Sequence, residues 1–500
     1  MKNVLLVAIM AVAGLGFLDV PEDSWAAPTI EAAAEYGLMR GMGDGVFGYG
    51  QTITRGHFAI VVGNMFDQES EDLSDPNLPI TRRDMAVMLV RALGYSNLAA
   101  QVESFEANPF TDVEDYAGYI IIAHHIGMIS GVGEGLFAPN ATATREQAAA
   151  MMVRVYEGLN APLDWVHGFY AFGAFGQRHL IADMDAVSFG WSQMEWDAET
   201  GARLNTTAAG GNPWVIPAGY ELIINYPREN GATTNLNVFM DTTTNLAEMI
   251  ADPASRTGAV NAIYAELARK SFDGVTINFE GLRGQQSRDN FNHFLTELAD
   301  ALRPGEFNLY VTVHPTTIDG VYFDGYDLRT IGRLADRVIL MVHDYRPRSM
   351  EGFLGTQWQR NAALTPINQV YRSLSAIACP GTGVEDINRV AIAFSFPNIG
   401  WFVDENNNLT RPTPVTVSME TVLTRMGQPD TYFGWCEHAR NPYIIYTTEG
   451  GERVFLWYEN HQSVAEKLQL ARLFGIRGAS VWRMGIIPNQ NEWDVWENFR

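Results

Sequence analysis

Glu280 closes the segment Phe272-Asp273-Gly274-Val275-Thr276-Ile277-Asn278-Phe279-Glu280, which reads as a β-strand. Period-two alternation puts Gly274, Thr276, Asn278 and Glu280 on one face and Asp273, Val275, Ile277 and Phe279 on the other. The first face is polar and ends in a carboxyl group. Such a group, ringed by aromatic side chains, is desolvated and holds its proton toward neutral pH, as a general acid must. A second set of groups lies further on. Leu340-Met341-Val342 runs into His343-Asp344, an imidazole beside a carboxylate, and Gly478-Ala479-Ser480-Val481 runs into Trp482. A third set is cationic: Arg55, Arg82 and Arg145 each follow a threonine at the start of a helical stretch. A guanidinium there offers forked donors to an anionic group. No Gly-rich phosphate loop, Ser-His-Asp arrangement or metal-ligand spacing accompanies these groups, so neither cofactor nor metal is expected.

Strand ends need a scaffold to bring them together. Beyond residue 160, apolar runs alternate with helical stretches, the signature of βα units. Eight strands are expected: Val166–Ala171, Ala186–Gly190, Glu221–Asn225, Gly274–Phe279, Leu309–Val313, Val338–Val342, Val390–Phe394 and Gly478–Trp482. That number over this length suits a (β/α)8 TIM barrel, whose catalytic groups sit at the C-terminal strand ends. An α+β insertion between strands seven and eight contains a hairpin, Tyr443–Tyr446 and Arg453–Tyr458 around Thr448-Glu449-Gly450-Gly451.

The first third of the chain is repetitive. Phe17-Leu18-Asp19-Val20 returns as Phe110-Thr111-Asp112-Val113, Gly45-Val46-Phe47 as Gly135-Leu136-Phe137, and Ile53-Thr54-Arg55 as Ile80-Thr81-Arg82 and Ala143-Thr144-Arg145. The pattern resembles the S-layer homology domain in three copies, 17–66, 67–109 (degenerate, with an acidic stretch 69–75) and 110–160. That resemblance implies an α-helical module binding the secondary polymer of a bacterial cell wall, with Arg55, Arg82 and Arg145 in its grooves. Residues 1–16 carry one lysine and an apolar stretch shorter than the ~20 residues of a membrane span, as in an export signal. Residues 161–167 read as a linker, and 168–500 as the barrel.

The barrel segment is similar to glycoside hydrolase family 18, whose strand-four signature is Asp-Gly-x-Asp-x-Asp-x-Glu. The resemblance makes Glu280 the proton donor of a substrate-assisted, retaining hydrolysis of N-acetylglucosamine glycans, peptidoglycan or chitin-like. It places Asp273, Thr276, Asn278, His343, Asp344, Trp482 and Tyr170 around the substrate. Apart from the resemblance, Glu459 of the insertion is either a further acid entering the cleft or a solvent-facing one. The region 455–485 looks like that of spore-cortex and peptidoglycan N-acetylglucosaminidases. Three positions depart from the pattern. Asn278 and Thr276 stand for aspartates, and His343 for a tyrosine that orients the acetamido oxygen; an imidazole N–H can do the same, with Asp344 fixing its tautomer or supplying charge. Trp191, Tyr345, Trp358 and Trp401 are further stacking candidates, His124-His125 suggest packing, and Cys379 and Cys436 are a possible pair in an exported protein.

Composition sets the outer bounds. The 500 residues hold 34 basic and 58 acidic side chains, a net charge of −24, which excludes a nucleic-acid binder and an anionic membrane surface as partner. With 47% hydrophobic residues the chain can build cores, and two cysteines exclude a disulfide scaffold. The expected protein is secreted and wall-attached, without a membrane span after signal removal. The alternatives are a weak or inactive carbohydrate-binding barrel, or a structural surface-layer protein.

Overall fold

The structure is a computed structural model and describes residues 16–66, 74–319, 323–356, 358, 362–489 and 494–500. The proposed signal segment, but for Gly16, and most of the acidic stretch 69–75 lie outside the described residues. The chain divides into two compact units, one up to Asn160 and one spanning Ala161–Arg500.

The first unit is helical: Ala27–Glu35, Arg55–Phe66, Arg82–Ala92, Ser96–Phe105, Ala117–His125 and Arg145–Asn160. Three of these helices start at the Thr-Arg pairs. Their preceding residues meet in a ring of backbone bonds, Ile53 N to Ala143 O (3.0 Å), Ile80 N to Ile53 O (3.0 Å) and Ala143 N to Ile80 O (3.4 Å), all three side chains being buried. The repeated aspartates fold the glycine loops. Asp19 accepts from the N–H groups of Phe47, Gly48 and Tyr49 at 2.7–2.8 Å, and Asp112 from Phe137 and Ala138 at 2.8 and 2.7 Å. Each loop then receives an arginine from another repeat. Arg145 donates from Nε to Phe47 O (2.8 Å) and from Nη2 to Arg40 O (3.0 Å); Arg82 donates to Phe137 O (3.0 Å) and Ser130 O (2.5 Å). Sequence repetition thus becomes two loops of like build, each clamped by an arginine from a different repeat.

The second unit is an eight-stranded parallel barrel: β1 (Trp165–Tyr170), β2 (Ala186–Asp197), β4 (Thr233–Asp241), β5 (Gly274–Glu280), β6 (Asn308–Val313), β7 (Arg337–Met341), β8 (Val390–Ser395) and β14 (Gly478–Trp482), closed by the pairing of β1 with both β2 and β14. β3 (Gly201–Asn205) is an antiparallel addition on β2. Residues 165–167, read as the end of a linker, already belong to β1. Glu221–Asn225, read as the third strand, lies in a helix, Tyr220–Glu229; the third barrel strand is β4. The insertion is a five-stranded antiparallel sheet, ordered β10-β9-β13-β12-β11, from β9 (Ile399–Val403), β10 (Val415–Thr416), β11 (Tyr432–Cys436), β12 (Asn441–Thr447) and β13 (Arg453–Trp457). One face packs on the helix Met419–Met426 through Ile444, Val454 and Leu456; the other, with Trp401, Phe455 and Trp457, packs on Trp358 and Ala362–Leu364.

The barrel base is finished by a recurrent device. In Asp185-Ala186-Val187, Asp273-Gly274-Val275 and Asp336-Arg337-Val338, the aspartate precedes a strand and accepts the first free N–H of the neighbouring one. The bonds are Val166 N to Asp185 (2.7 Å), Thr234 N to Asp273 (2.8 Å) and Leu309 N to Asp336 (2.8 Å). Burial of those N–H groups without partners would cost about 1–3 kcal/mol each. Above this layer, Trp165, Phe169, Tyr310, Ile339, Ala391 and Ala393 fill the interior, with Trp482 packed against them.

Candidate active site

Glu280 stands at the C-terminal end of β5, half-buried, on the inward face with Asn278 and Thr276. Burial raises its carboxyl above the usual glutamate range, with Asp344 and Asp241 adding to the rise; His343 and a hydrogen bond with Asn278 oppose it. The group therefore keeps its proton to higher pH than a surface glutamate. Asn278 is 2% exposed, and its Oδ1 accepts from the Thr312 hydroxyl at 2.7 Å.

His343 follows β7. Its Nδ1 is 2.8 Å from Asp344 Oδ2, while its Nε2 is buried with no partner among the described residues. Asp344 is exposed at the rim. Desolvation pushes its carboxyl up, but the hydrogen bond with His343 and the charges of His343, Arg346 and His314 outweigh that, leaving it below the usual aspartate range. Trp482 lies on the same rim, edge-on to Phe169 at 5.0 Å.

The sequence reading missed His314. It follows inward-facing Tyr310 and Thr312 at strand spacing, so alternation alone could have found it. Its Nε2 accepts from Gly281 N at 3.2 Å, and its ring stacks on Phe323 at 3.8 Å, pinning the turn that carries Glu280. Burial, with His343 nearby, pushes its pKa down to about 3, so it stays neutral. Tyr326 OH donates to Phe279 O at 2.7 Å from the other side.

Four expected site residues lie elsewhere. Asp273 is at the base of β5, about 20 Å from Glu280 at ~3.3 Å per residue, and it bonds Thr234 and Arg228. Thr276 is fully buried within a polar column, Ser480···His167···Ser188···Thr276, with links of 2.7, 2.7 and 2.6 Å. Tyr170 faces outward, because Phe169 faces in, and packs on Phe189 and Trp191. Glu459 is wholly buried rather than in the cleft: it pairs with Lys467 (3.0 Å), itself 0% exposed, and accepts from Asn441 (2.6 Å) and Ser463 (2.5 Å). Asn441 in turn accepts from Thr365 N (3.3 Å), and Thr365 lines a recess with His343, Asp344 and Arg346. Glu459 therefore braces the cleft wall from behind.

The minor candidates are packing groups. Trp358 and Trp401 fill the insertion core, Tyr345 OH bonds Ser373 (2.9 Å), and His124 stacks edge-on against Phe110. Cys379 and Cys436 are both free. Arg145 (7% exposed) and half-buried Arg82 are turned to backbone carbonyls of other repeats, and Arg55 Nε has no partner among the described residues. Among those residues no metal-ligating group of three appears, and no helix is long and apolar enough to cross a membrane.

A closed parallel barrel with a desolvated acid at the end of its fourth strand is an enzyme architecture with many chemistries, and the family match decides among them. The chain belongs to Glycosyl hydrolases family 18, whose profile matches residues 235–486, just over half of it. The S-layer homology domain matches residues 16–59 and 109–149. Among curated proteins it is 22% identical over 246 residues to the cortical fragment-lytic enzyme of Bacillus subtilis, covering 49% of this chain and 53% of that protein. It is 30% identical over 158 residues to a cell surface protein of Thermoanaerobacter kivui, 31% of this chain and 17% of that one. The chain spans about half the length of the first curated relatives it matches. Its fold is shared with the spore cortex-lytic enzyme SleL of Bacillus cereus (TM-score 0.53, 16% identity, 67% of this chain and 73% of that one). A family 18 N-acetylglucosaminidase from Paenibacillus barengoltzii is similar too (TM-score 0.51, 16% identity, 67% and 98%).

Proposed function

We propose that the protein is a wall-attached hydrolase of N-acetylglucosamine glycan, acting on peptidoglycan with assistance from the substrate's own acetamido group. Glu280 gives its proton to the glycosidic oxygen as that bond to the anomeric carbon breaks. The 2-acetamido carbonyl oxygen bonds the same carbon, giving an oxazolinium ion. Glu280, now a carboxylate, then takes a proton from the water that reopens the ring, with retention. Trp482 supports the sugar face.

The observation that carries this reading is the buried Nε2 of His343, without a partner among the described residues, near an acid whose carboxyl burial raises above the usual glutamate range. With Asp344 ionised, the proton of a neutral His343 belongs on Nδ1, so Nε2 presents a lone pair. It therefore accepts from the acetamido N–H, the reverse of the N–H donation to the acetamido oxygen expected from sequence. Asn278 is poorly placed for this, since its oxygen already accepts from Thr312. The Asp344–His343 pair thus brings negative charge toward the developing cation in place of the missing aspartate, and fixed electrostatics of this kind are a large catalytic contribution.

The S-layer homology segments support attachment to wall polymer. The 8 basic and 20 acidic residues of 1–160 mean that net charge does not drive it. The test uses matched oligosaccharides of N-acetylglucosamine and of deacetylated glucosamine. Release of reducing ends from the acetylated series alone is expected. Equal cleavage of both removes the acetamido mechanism, and cleavage of neither by the purified protein favours a binding barrel.

A further inference from the structure

Asp241 ends β4 as Glu280 ends β5, and the two residues are in register across the parallel pair. Below them the inward-facing residues pair in the same way, Phe239 with Asn278, Asn237 with Thr276 and Asn235 with Gly274. Asp241 therefore shares the inward face of Glu280, and neighbouring strands stand only ~4.8 Å apart. The turns that follow the two acids are pressed together. A Cβ on Gly281 would lie 2.5 Å from the Thr242 hydroxyl, and Gly281 has φ +85°, a region that favours glycine. His314 holds the same turn from the side of β6, accepting from Gly281 N at 3.2 Å. Asp241 is itself fixed, because its Oδ1 accepts from Thr243 N (2.9 Å) and from the Thr243 hydroxyl (2.6 Å). It has no cationic partner among the described residues, whereas Asp344 is bonded to the His343 imidazole at 2.8 Å.

We propose that Asp241 is a positioning residue for the reaction: its carboxylate, next to Glu280 on the adjoining strand, holds the proton on Glu280 until the glycosidic oxygen takes it. Once that proton has left, the same carboxylate strengthens Glu280 as the base that draws a proton from water. Two adjacent carboxyls resist ionising together, so charge on one favours the acid form of the other. No such neighbour stands along β5 itself, since Asn278 is uncharged. The other groups near Glu280 are His343 and Asp344 after β7, neutral His314 after β6 and the buried Tyr326 hydroxyl. Arg283, on the turn itself, lies over the Phe323 ring at 5.3 Å. Burial raises the Glu280 carboxyl most; Asp344 and Asp241 add to the rise, and His343 opposes it. The inference rests on the hydrolytic reading above and adds how that site keeps and regains its proton.

The test uses the full chain and Asp241→Asn, which keeps the shape and an oxygen for Thr243 N and loses the charge. On an N-acetylglucosamine oligosaccharide the basic limb of kcat/KM should move to lower pH. Well up that limb the variant should fall about fourfold further behind wild type than on the acid-side plateau, the effect of two unit charges ~5 Å apart in a water-like medium. A limb that does not move, or a loss equal at every pH, overturns the proposal, because a merely structural defect lowers the whole profile alike. Carbon-13 NMR of the glutamate carboxyls, with Glu280→Gln to assign the signal, reads the same proton without turnover. Glu280 should titrate at lower pH in Asp241→Asn than in wild type. That result with no cleavage by the wild type would sink the hydrolase and keep the coupling. Cleavage with Glu280 titrating alike in both proteins would do the reverse.

Discussion

Asp273 and Glu280 lie seven residues apart on one strand, yet they belong to different kinds of chemistry. Asp273, at the base, has both oxygens engaged, by Thr234 N (2.8 Å), the Thr234 hydroxyl (2.6 Å) and Arg228 (3.4 Å). Glu280, at the mouth, is half-buried with Asn278 as hydrogen-bond partner, and it feels the charge of His343, whose Nε2 has no partner among the described residues. A recess of about 510 Å3 also opens at the base, lined by Asp185, Asp336 and Arg337, but these groups are committed to neighbouring strands. A carboxylate satisfied by backbone holds strands together; one desolvated and under-satisfied is poised to exchange a proton.

The widest gap between the two ends should appear in turnover. Glu280→Gln is expected to lower kcat by about 10³-fold, within the usual range for a general acid, and Asp273→Asn to leave kcat of the folded protein unchanged. Stability should show the opposite order. Asp273→Asn loses charge-assisted bonds worth about 1–2 kcal/mol, read as a lower midpoint in denaturant. Glu280→Gln removes a carboxylate whose folded pKa is raised, so it should stabilise the protein at neutral pH, with the gain fading as pH falls through the raised folded value and gone below the unfolded glutamate value of about 4.3. Equal losses of turnover in both variants would break the comparison.

A bigger stability effect belongs to a site that resembled chemistry and is structure. Glu459→Gln leaves Lys467 charged and unpaired in a fully buried position, which should cost about 3–5 kcal/mol in denaturant unfolding. Smallest is the pH effect. Because Glu280 must be protonated and is shifted upward, kcat/KM should fall as pH rises through a value above the ordinary glutamate range. Because Asp344 is shifted downward, it stays ionised beside His343 throughout that range. A basic limb at or below that glutamate range would remove the desolvated acid from the account.

Sequence legibility followed interior polarity. β5, β8 and β14 are apolar runs with clear ends and could be placed within a residue or two. β4 was hidden because its inward positions are polar, Asn235 and Asn237, whereas Glu221–Asn225 offered a short apolar run that does not distinguish helix from strand. In the helix that forms there, Leu222 is 81% exposed and Ile224 buried, a helical pattern too short to read. Glu280 and His343 were legible through the match of their segments to the family 18 pattern, because an acid or imidazole at a strand end is by itself a weak signal. Glu459 was not, because its partner Lys467 is met only after the insertion packs on the helix His461–Leu473. The trace was a lysine on that helix's apolar face, between Val464 and Leu468.

The central claim is that Glu280 delivers a proton to the leaving oxygen, and leaving-group dependence tests it most directly. The rates of wild type and Glu280→Gln would be compared on an N-acetylglucosamine oligosaccharide and on an aryl N-acetylglucosaminide whose acidic phenol departs without protonation. The account predicts a loss of about 10³-fold on the oligosaccharide and a far smaller one on the aryl glycoside. The same loss on both substrates, or none on either, would contradict it.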